Sequence, residues 1–216
     1  MQNNEGLKDE DSTKKHWENI FSTKNFNEVS WYQENPKTSV DLILSVNLDK
    51  NAHIIDVGAG DSKLADSLLD LGFRNISVLD VSSKALEKTK KRLGNKADSV
   101  KWIVSDIREF ETNDRYDIWH DRAALHFLTA DDDIDKYVNN IRRFLKYNGY
   151  LIVSTFSLNG PKRCSGLDIK QYSEDSIKKL FYDFEHIKSF EEKHSTPLGD
   201  SQIFIYSVFK KKSDKK

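Results

Sequence analysis

The sequence predicts an α/β protein whose core is an open, mostly parallel sheet covered by helices on both faces. Three observations carry that prediction. Short apolar runs of strand length, at residues 54–57, 76–80, 100–104 and 116–119, recur along the chain with helical patterns among them. The first run breaks into Gly58-Ala59-Gly60 and resumes as a helical pattern over 62–71, which is a buried strand, a tight turn and a helix. All four runs end in or near polar residues: Asp56, Asp80, Asp106 and the trio His120-Asp121-Arg122. Open α/β sheets bind ligands at that edge.

At 216 residues one domain is the default, long enough to bury a sheet on both faces. The net charge is −1, with 34 basic and 35 acidic residues interspersed, which argues against a nucleic-acid footprint. One cysteine, Cys164, excludes an intramolecular disulfide framework, and with six histidines beside it a structural zinc site is not expected. No run approaches a membrane span, and residues 1–15 have neither an apolar signal core nor the acid-poor composition of a transit peptide. The expected location is the cytoplasm.

Taken in order, residues 1–12 are polar and expected to lack structure. A single domain is expected over 13–210, opening with a lid helix that sets Trp17, Ile20 and Phe21 on one face; 211–216 form a basic tail. Trp31 and Tyr32 follow, and they either pack on the sheet or close over a ligand. An aromatic face attracts a cation. Residues 38–46 read as a helix before the first strand. The Gly58-x-Gly60 turn lacks the third glycine of a dinucleotide fingerprint. Asp61 beside it repels a pyrophosphate and suits a cationic or zwitterionic ligand.

Residues 82–93 form the next helix, with Ser82 or Ser83 as N-cap, Gly94 as stop and a solvated lysine face. Asp131, Asp132 and Asp133 read as negative charge at a helix N-terminus, because three successive helical residues do not point at one ion. Ile134, Tyr137, Val138, Ile141 and Leu145 continue that helix as an apolar stripe. A fifth strand is expected at 151–156, a loop with Cys164 at 157–167, and a helix at 172–181. Two strands over 186–194 and 202–210, joined by a turn at Thr196-Pro197, close the chain as a hairpin.

Five stretches together resemble one family. They are Asp56-Val57-Gly58-Ala59-Gly60, Val78-Leu79-Asp80-Val81-Ser82, Ser105-Asp106-Ile107, Tyr116-Asp117-Ile118-Trp119, and Leu145 through Val153. Their order and spacing resemble class I S-adenosylmethionine-dependent methyltransferases over about residues 16–209. Ser62 or Lys63 stands in place of the third glycine, and Tyr147-Asn148-Gly149 in place of the usual Pro-Gly-Gly turn.

The resemblance implies a Rossmann-like three-layer sandwich, with a mostly parallel seven-stranded sheet and an antiparallel C-terminal hairpin strand. It implies S-adenosyl-L-methionine as cofactor. Asp56, Gly58, Ala59 and Gly60 would hold its amino-acid end, and Asp80 its ribose hydroxyls. Val81 would lie on the adenine, Asp106 would accept from the adenine amino group, and Ile107 would supply a backbone N–H. Trp31 would stand near the cofactor, and His120 would border the methyl-transfer zone.

A sulfonium methyl is already activated, so transfer needs positioning more than an obligatory base. If a base is used, His120, Asp121 and His126 are the candidates, histidine having the suitable intrinsic pKa. Asp121 and Arg122 equally well pair with each other or cap the next turn, and Arg122 equally well holds an acidic substrate. Cys164 and His194 either face the same pocket or are buried and inert. The expected acceptor is a small molecule or a protein side chain, with no nucleic acid and no membrane involved. Two other readings stand beside this one: a non-catalytic cofactor-binding module that regulates a partner, and a nicotinamide-dependent oxidoreductase.

Overall fold

The structure is a computed structural model that describes residues 5–25 and 28–213, the first seven of these as backbone only. Nine strands are placed among them: β1 (His53–Val57), β2 (Asn75–Asp80), β3 (Val100–Val104), β4 (Tyr116–Arg122), β5 (Leu145–Phe156), β6 (Arg163–Cys164), β7 (Leu167–Asp168), β8 (Phe184–Ser195) and β9 (Ser201–Lys211). The helices are α1 (Glu5–Thr23), α2 (Lys37–Ser45), α3 (Leu64–Asp70), α4 (Ser83–Leu93), α5 (Asp131–Phe144) and α6 (Glu174–Leu180).

Seven strands form one sheet in the order β3-β2-β1-β4-β5-β9-β8, and β6 with β7 makes a separate small hairpin. Pairing is parallel from β3 through β5, whereas β9 runs antiparallel to both β5 and β8. The chain steps outward from β1 to β2 and β3, then returns to lay β4 on the other side of β1. That reversal opens a crevice above the C-terminal ends of β1 and β4, the place where such sheets take ligands.

Alternation along the strands divides the interior. Ile55, Val57, Trp119 and Val153 pack with Tyr137, Ile141 and Phe144 of α5 on one face. Ile54, Val78, Ile118 and Ile152 pack with Leu42 and Ile43 of α2, Leu64 and Leu68 of α3 and Leu86 of α4 on the other. Asp56 shares a face with Ile54, and His120 and Arg122 share one with Ile118. Asp121 alternates to the side of Trp119 and α5.

Four sequence expectations shift. The first helix begins at Glu5, inside the stretch 1–12 expected to lack structure; residues 1–4 lie outside the described residues. Once a docked helix exists, extending it costs far less than nucleating it, so sparse apolar content does not stop it. The strand β4 continues through His120, Asp121 and Arg122 rather than ending before them. The helix after the glycine turn starts at Leu64, because Asp61 through Lys63 prolong the turn. Finally, β5 begins at Leu145: Tyr116 pairs with Leu145, the register shifts, and Ile118 then pairs with Tyr150. The expected turn at Tyr147-Asn148-Gly149 is thus a bulge within a strand, with Asn148 at φ 63°. Of the basic tail, Lys211 belongs to β9, and residues 214–216 lie outside the described residues.

Candidate active site

A cavity of about 390 Å³ occupies the crevice above β1 and β4. Its floor is the glycine turn. Gly58 and Gly60 hold φ 61° and 56°, in the left-handed region that disfavours side chains. A Cβ on Gly58 would stand 2.4 Å from the Ala124 Cβ, and one on Gly60 would stand 3.0 Å from the Phe21 ring. The turn therefore packs against the segment after β4 and against α1, with its backbone bare toward the cavity.

Asp80, at the end of β2, pins this turn. Its Oδ2 accepts from the Gly60 N–H at 2.7 Å and its Oδ1 from the Ser82 N–H at 2.8 Å. Burial pushes its carboxyl up to about 6, with the charges of Asp56 and Asp61 adding and the two backbone donors opposing. Asp61 is also buried, its Oδ1 has no hydrogen-bond partner among the described residues, and burial raises its pKa. Arg92 holds the far side of the turn, donating to the carbonyls of Asp61 at 2.9 Å and Ser62 at 2.6 Å while pairing with Asp66.

A buried polar chain crosses the cavity floor. His120 Nδ1 lies 2.7 Å from Asp56 Oδ1, and His120 Nε2 lies 2.9 Å from Ser39 Oγ of α2. The carboxylate can only accept, so it assigns the proton to Nδ1 and leaves Nε2 to accept from the Ser39 hydroxyl. All three side chains line the cavity. Ser39 had no signal in the sequence, since it sits on a helix that precedes β1 and meets His120 only through the fold.

The roof is aromatic. Trp17 stands edge-on to Trp31 at 5.8 Å and to Phe127 at 4.9 Å, and Phe21 meets Trp31 at 6.0 Å. Glu18, on the same helix, caps α4: its carboxylate accepts from the N–H groups of Ser83 at 2.7 Å and Lys84 at 3.2 Å. Trp31 thus packs against α1 and lines the cavity.

Val81 and Ile107 line the opposite end. Asp106 is there too, but its carboxylate is held by Arg108, through Nε at 3.0 Å and Nη2 at 2.7 Å, and it also accepts from the Arg108 N–H at 2.8 Å. Arg108 also pairs with Asp133 at 3.0 Å, which gives the acidic start of α5 a partner the sequence did not reveal.

Two candidate bases do not reach the cavity. Asp121 is fully buried on the α5 side, accepting from Ala124 N–H at 2.8 Å, Leu125 N–H at 3.1 Å and Tyr137 Oη at 2.6 Å. It caps the turn that follows β4 and is not among the residues that line the cavity. His126 stacks on Phe156 at 4.4 Å and accepts weakly from its N–H at 3.4 Å. Burial, with the nearby Arg122 charge adding, drives its pKa down to about 3, so it is neutral at working pH. Strand alternation through residue 122 would have separated Asp121 from His120 and Arg122, had the strand been extended that far. Cys164 does line the cavity, but burial raises its pKa, and His194 gives Nε2 to the Ser30 carbonyl at 2.8 Å.

The sequence profile of the methyltransferase-domain family matches residues 48–203. The chain belongs to this family. As a curated relative, the eEF1A lysine and N-terminal methyltransferase of mouse is 22% identical over 161 residues, which are 70% of this chain and 22% of that protein. The chain therefore spans about a fifth of that relative's length. Among solved structures, an S-adenosylmethionine-dependent methyltransferase from Anabaena variabilis superposes with a TM-score of 0.73 at 17% identity, covering 94% of this chain and 95% of that one. The N-methyltransferase NodS from Bradyrhizobium japonicum, in complex with S-adenosyl-L-homocysteine, gives 0.66 at 14% identity over 92% and 100%. These two likenesses establish the Rossmann-like methyltransferase fold.

S-Adenosylmethionine is the cofactor of class I methyltransferases, and the cavity of this methyltransferase domain fits it. A bare glycine turn lies between a buried acid, Asp61, whose Oδ1 has no hydrogen-bond partner among the described residues and is suited to an ammonium, and Asp80, suited to ribose hydroxyls. Among the described residues no helix is long and apolar enough to cross a membrane.

Proposed function

We propose that this chain is an S-adenosylmethionine-dependent methyltransferase acting on a small molecule or a protein side chain. The observation that carries the reading is Asp80, a buried carboxylate fixed by Gly60 and Ser82 at the cavity wall. Both oxygens keep lone pairs for the two hydroxyls of a ribose. The backbone at Gly58, Ala59 and Gly60 and the carboxylates of Asp56 and Asp61 receive the amino-acid end. Val81 and Ile107 flank the adenine, and Asp106, although held by Arg108, keeps lone pairs to accept from its amino group. Trp31, in the roof, stands near the cofactor.

When bound, the cofactor supplies an electrophilic methyl on a sulfonium. The residues of the chain orient the acceptor, exclude water through the aromatic roof and move a proton. Ser39 is placed to take the acceptor's proton while passing its own to His120 Nε2, and Asp56 steadies the imidazolium that results. Because the cysteine is single and unpaired, a reducing cytoplasm is the compartment this proposal assigns.

Incubation with a labelled methyl donor and separate small-molecule and protein acceptor pools tests the reading. Label in either pool supports it. Tight binding of S-adenosylhomocysteine with no transfer to any pool favours the non-catalytic module instead.

A further inference from the structure

Among the described residues, Arg122 is a cation without a counter-ion. Arg92, Arg108 and Arg142 each hold a carboxylate. Arg122 instead donates from Nε to Tyr206 Oη at 3.2 Å and from Nη1 to the Trp31 carbonyl at 3.1 Å. Its Nη2 is shielded from solvent and has no hydrogen-bond partner among the described residues. An unpaired guanidinium with a desolvated donor is costly unless something else pairs with it.

Its direction says which ligand that is. The glycine turn, Asp80 and Asp106 belong to the β1-β2-β3 half of the sheet. Arg122 leaves β4 the other way, crossing β5 to β9, where its Cζ lies 4.7 Å from the centre of the Phe204 ring. Gln202 is two residues before Phe204 on β9, hence on the same face. It lines the same cavity and is buried, and its Oε1 also lacks a partner among the described residues. A cation and an acceptor that are unpaired among the described residues thus share one wall, away from the glycine turn, Asp80 and Asp106.

We propose that the methyl acceptor is a small molecule bearing a carboxylate, which pairs with Arg122 while a hydroxyl or N–H of the same molecule donates to Gln202. A small molecule is favoured because Trp17, Trp31 and Phe127 roof the cavity. The inference rests on the methyltransferase reading above. Arg122 also acts, after burial, to lower the His194 pKa.

The test is calorimetric titration of the protein saturated with S-adenosylhomocysteine. The probes are three acids and their primary amides: benzoate, phenylacetate and 4-hydroxybenzoate with benzamide, phenylacetamide and 4-hydroxybenzamide. At least one acid is expected to bind tenfold or more tightly than its amide. Arg122→Gln should abolish that preference while S-adenosylhomocysteine still binds as before. Gln202→Glu, which sets a fixed carboxylate on the same wall with Arg122 intact, should do the same. Equal binding of acids and amides, no binding of any acid, or a preference that survives both substitutions overturns the proposal. A loss of S-adenosylhomocysteine affinity in Arg122→Gln overturns it too, by assigning the cation to the cofactor, either directly or through the Trp31 carbonyl it holds. Failure of the unsubstituted protein to bind S-adenosylhomocysteine overturns the methyltransferase reading and this inference together.

Discussion

Asp80 Oδ2 accepts a 2.7 Å hydrogen bond from the Gly60 N–H, joining the end of β2 to the turn that follows β1. One carboxylate thereby shapes the glycine turn and presents itself to the cavity.

A pH dependence of cofactor binding follows. The Asp80 carboxyl is raised by burial from 3.8 to about 6. For folding, its contribution is therefore fully present below about 3.8 and is lost as pH rises through about 6. For binding the sign reverses, since ribose hydroxyls donate to the ionised form. Affinity for S-adenosylhomocysteine should be full above about pH 6 and fall by up to about tenfold per unit below it. Calorimetry from pH 5 to 8 checks this, and Asp80→Asn should flatten the profile.

The Ser39–His120–Asp56 chain makes a kinetic prediction. Both His120→Ala and Ser39→Ala should lower kcat by about 10²-fold or more if proton transfer limits the reaction. Ser39→Ala should leave S-adenosylhomocysteine affinity intact. Equal losses of kcat and affinity in both variants would assign the chain to cofactor positioning alone.

Asp121 and His126 should behave as structural residues. Asp121→Ala strands the Tyr137 hydroxyl and two N–H groups and should cost about 1–3 kcal/mol in denaturant unfolding. His126→Ala removes a ring stacked on Phe156 and should cost about 2–5 kcal/mol. The surviving folded fraction of either should turn over at the normal rate; a folded variant lacking activity would return that residue to the chemistry.

At Gly58 the constraint is steric. Gly58→Ala meets the Ala124 Cβ at 2.4 Å with φ fixed at 61°. A loss of about 1–3 kcal/mol in stability is expected, with weakened S-adenosylhomocysteine binding because the turn must move. Unchanged affinity would show that the turn does not touch the cofactor.

The sheet was legible because its signals are local: apolar runs, a glycine turn and acids at strand ends. The roles at β4 were not. His120, Asp121 and Arg122 are adjacent in sequence, yet alternation sends the middle one to α5 and the outer two toward the cavity face. Ser39 and Gln202 reach the site, and Glu18 the start of α4, from distant elements, and a single chain carries no mark of such meetings. The bulge at Asn148 escaped for a related reason, since pairing between β4 and β5 defines it rather than any local turn motif.

The most direct test of the cofactor site is titration of the wild-type protein and Asp80→Ala with S-adenosylhomocysteine, with NADH as control. Micromolar-class binding of S-adenosylhomocysteine alone, weakened by about 1–3 kcal/mol in a folded Asp80→Ala variant, is the expected result. Binding of NADH instead, or an affinity unchanged by Asp80→Ala, would contradict it.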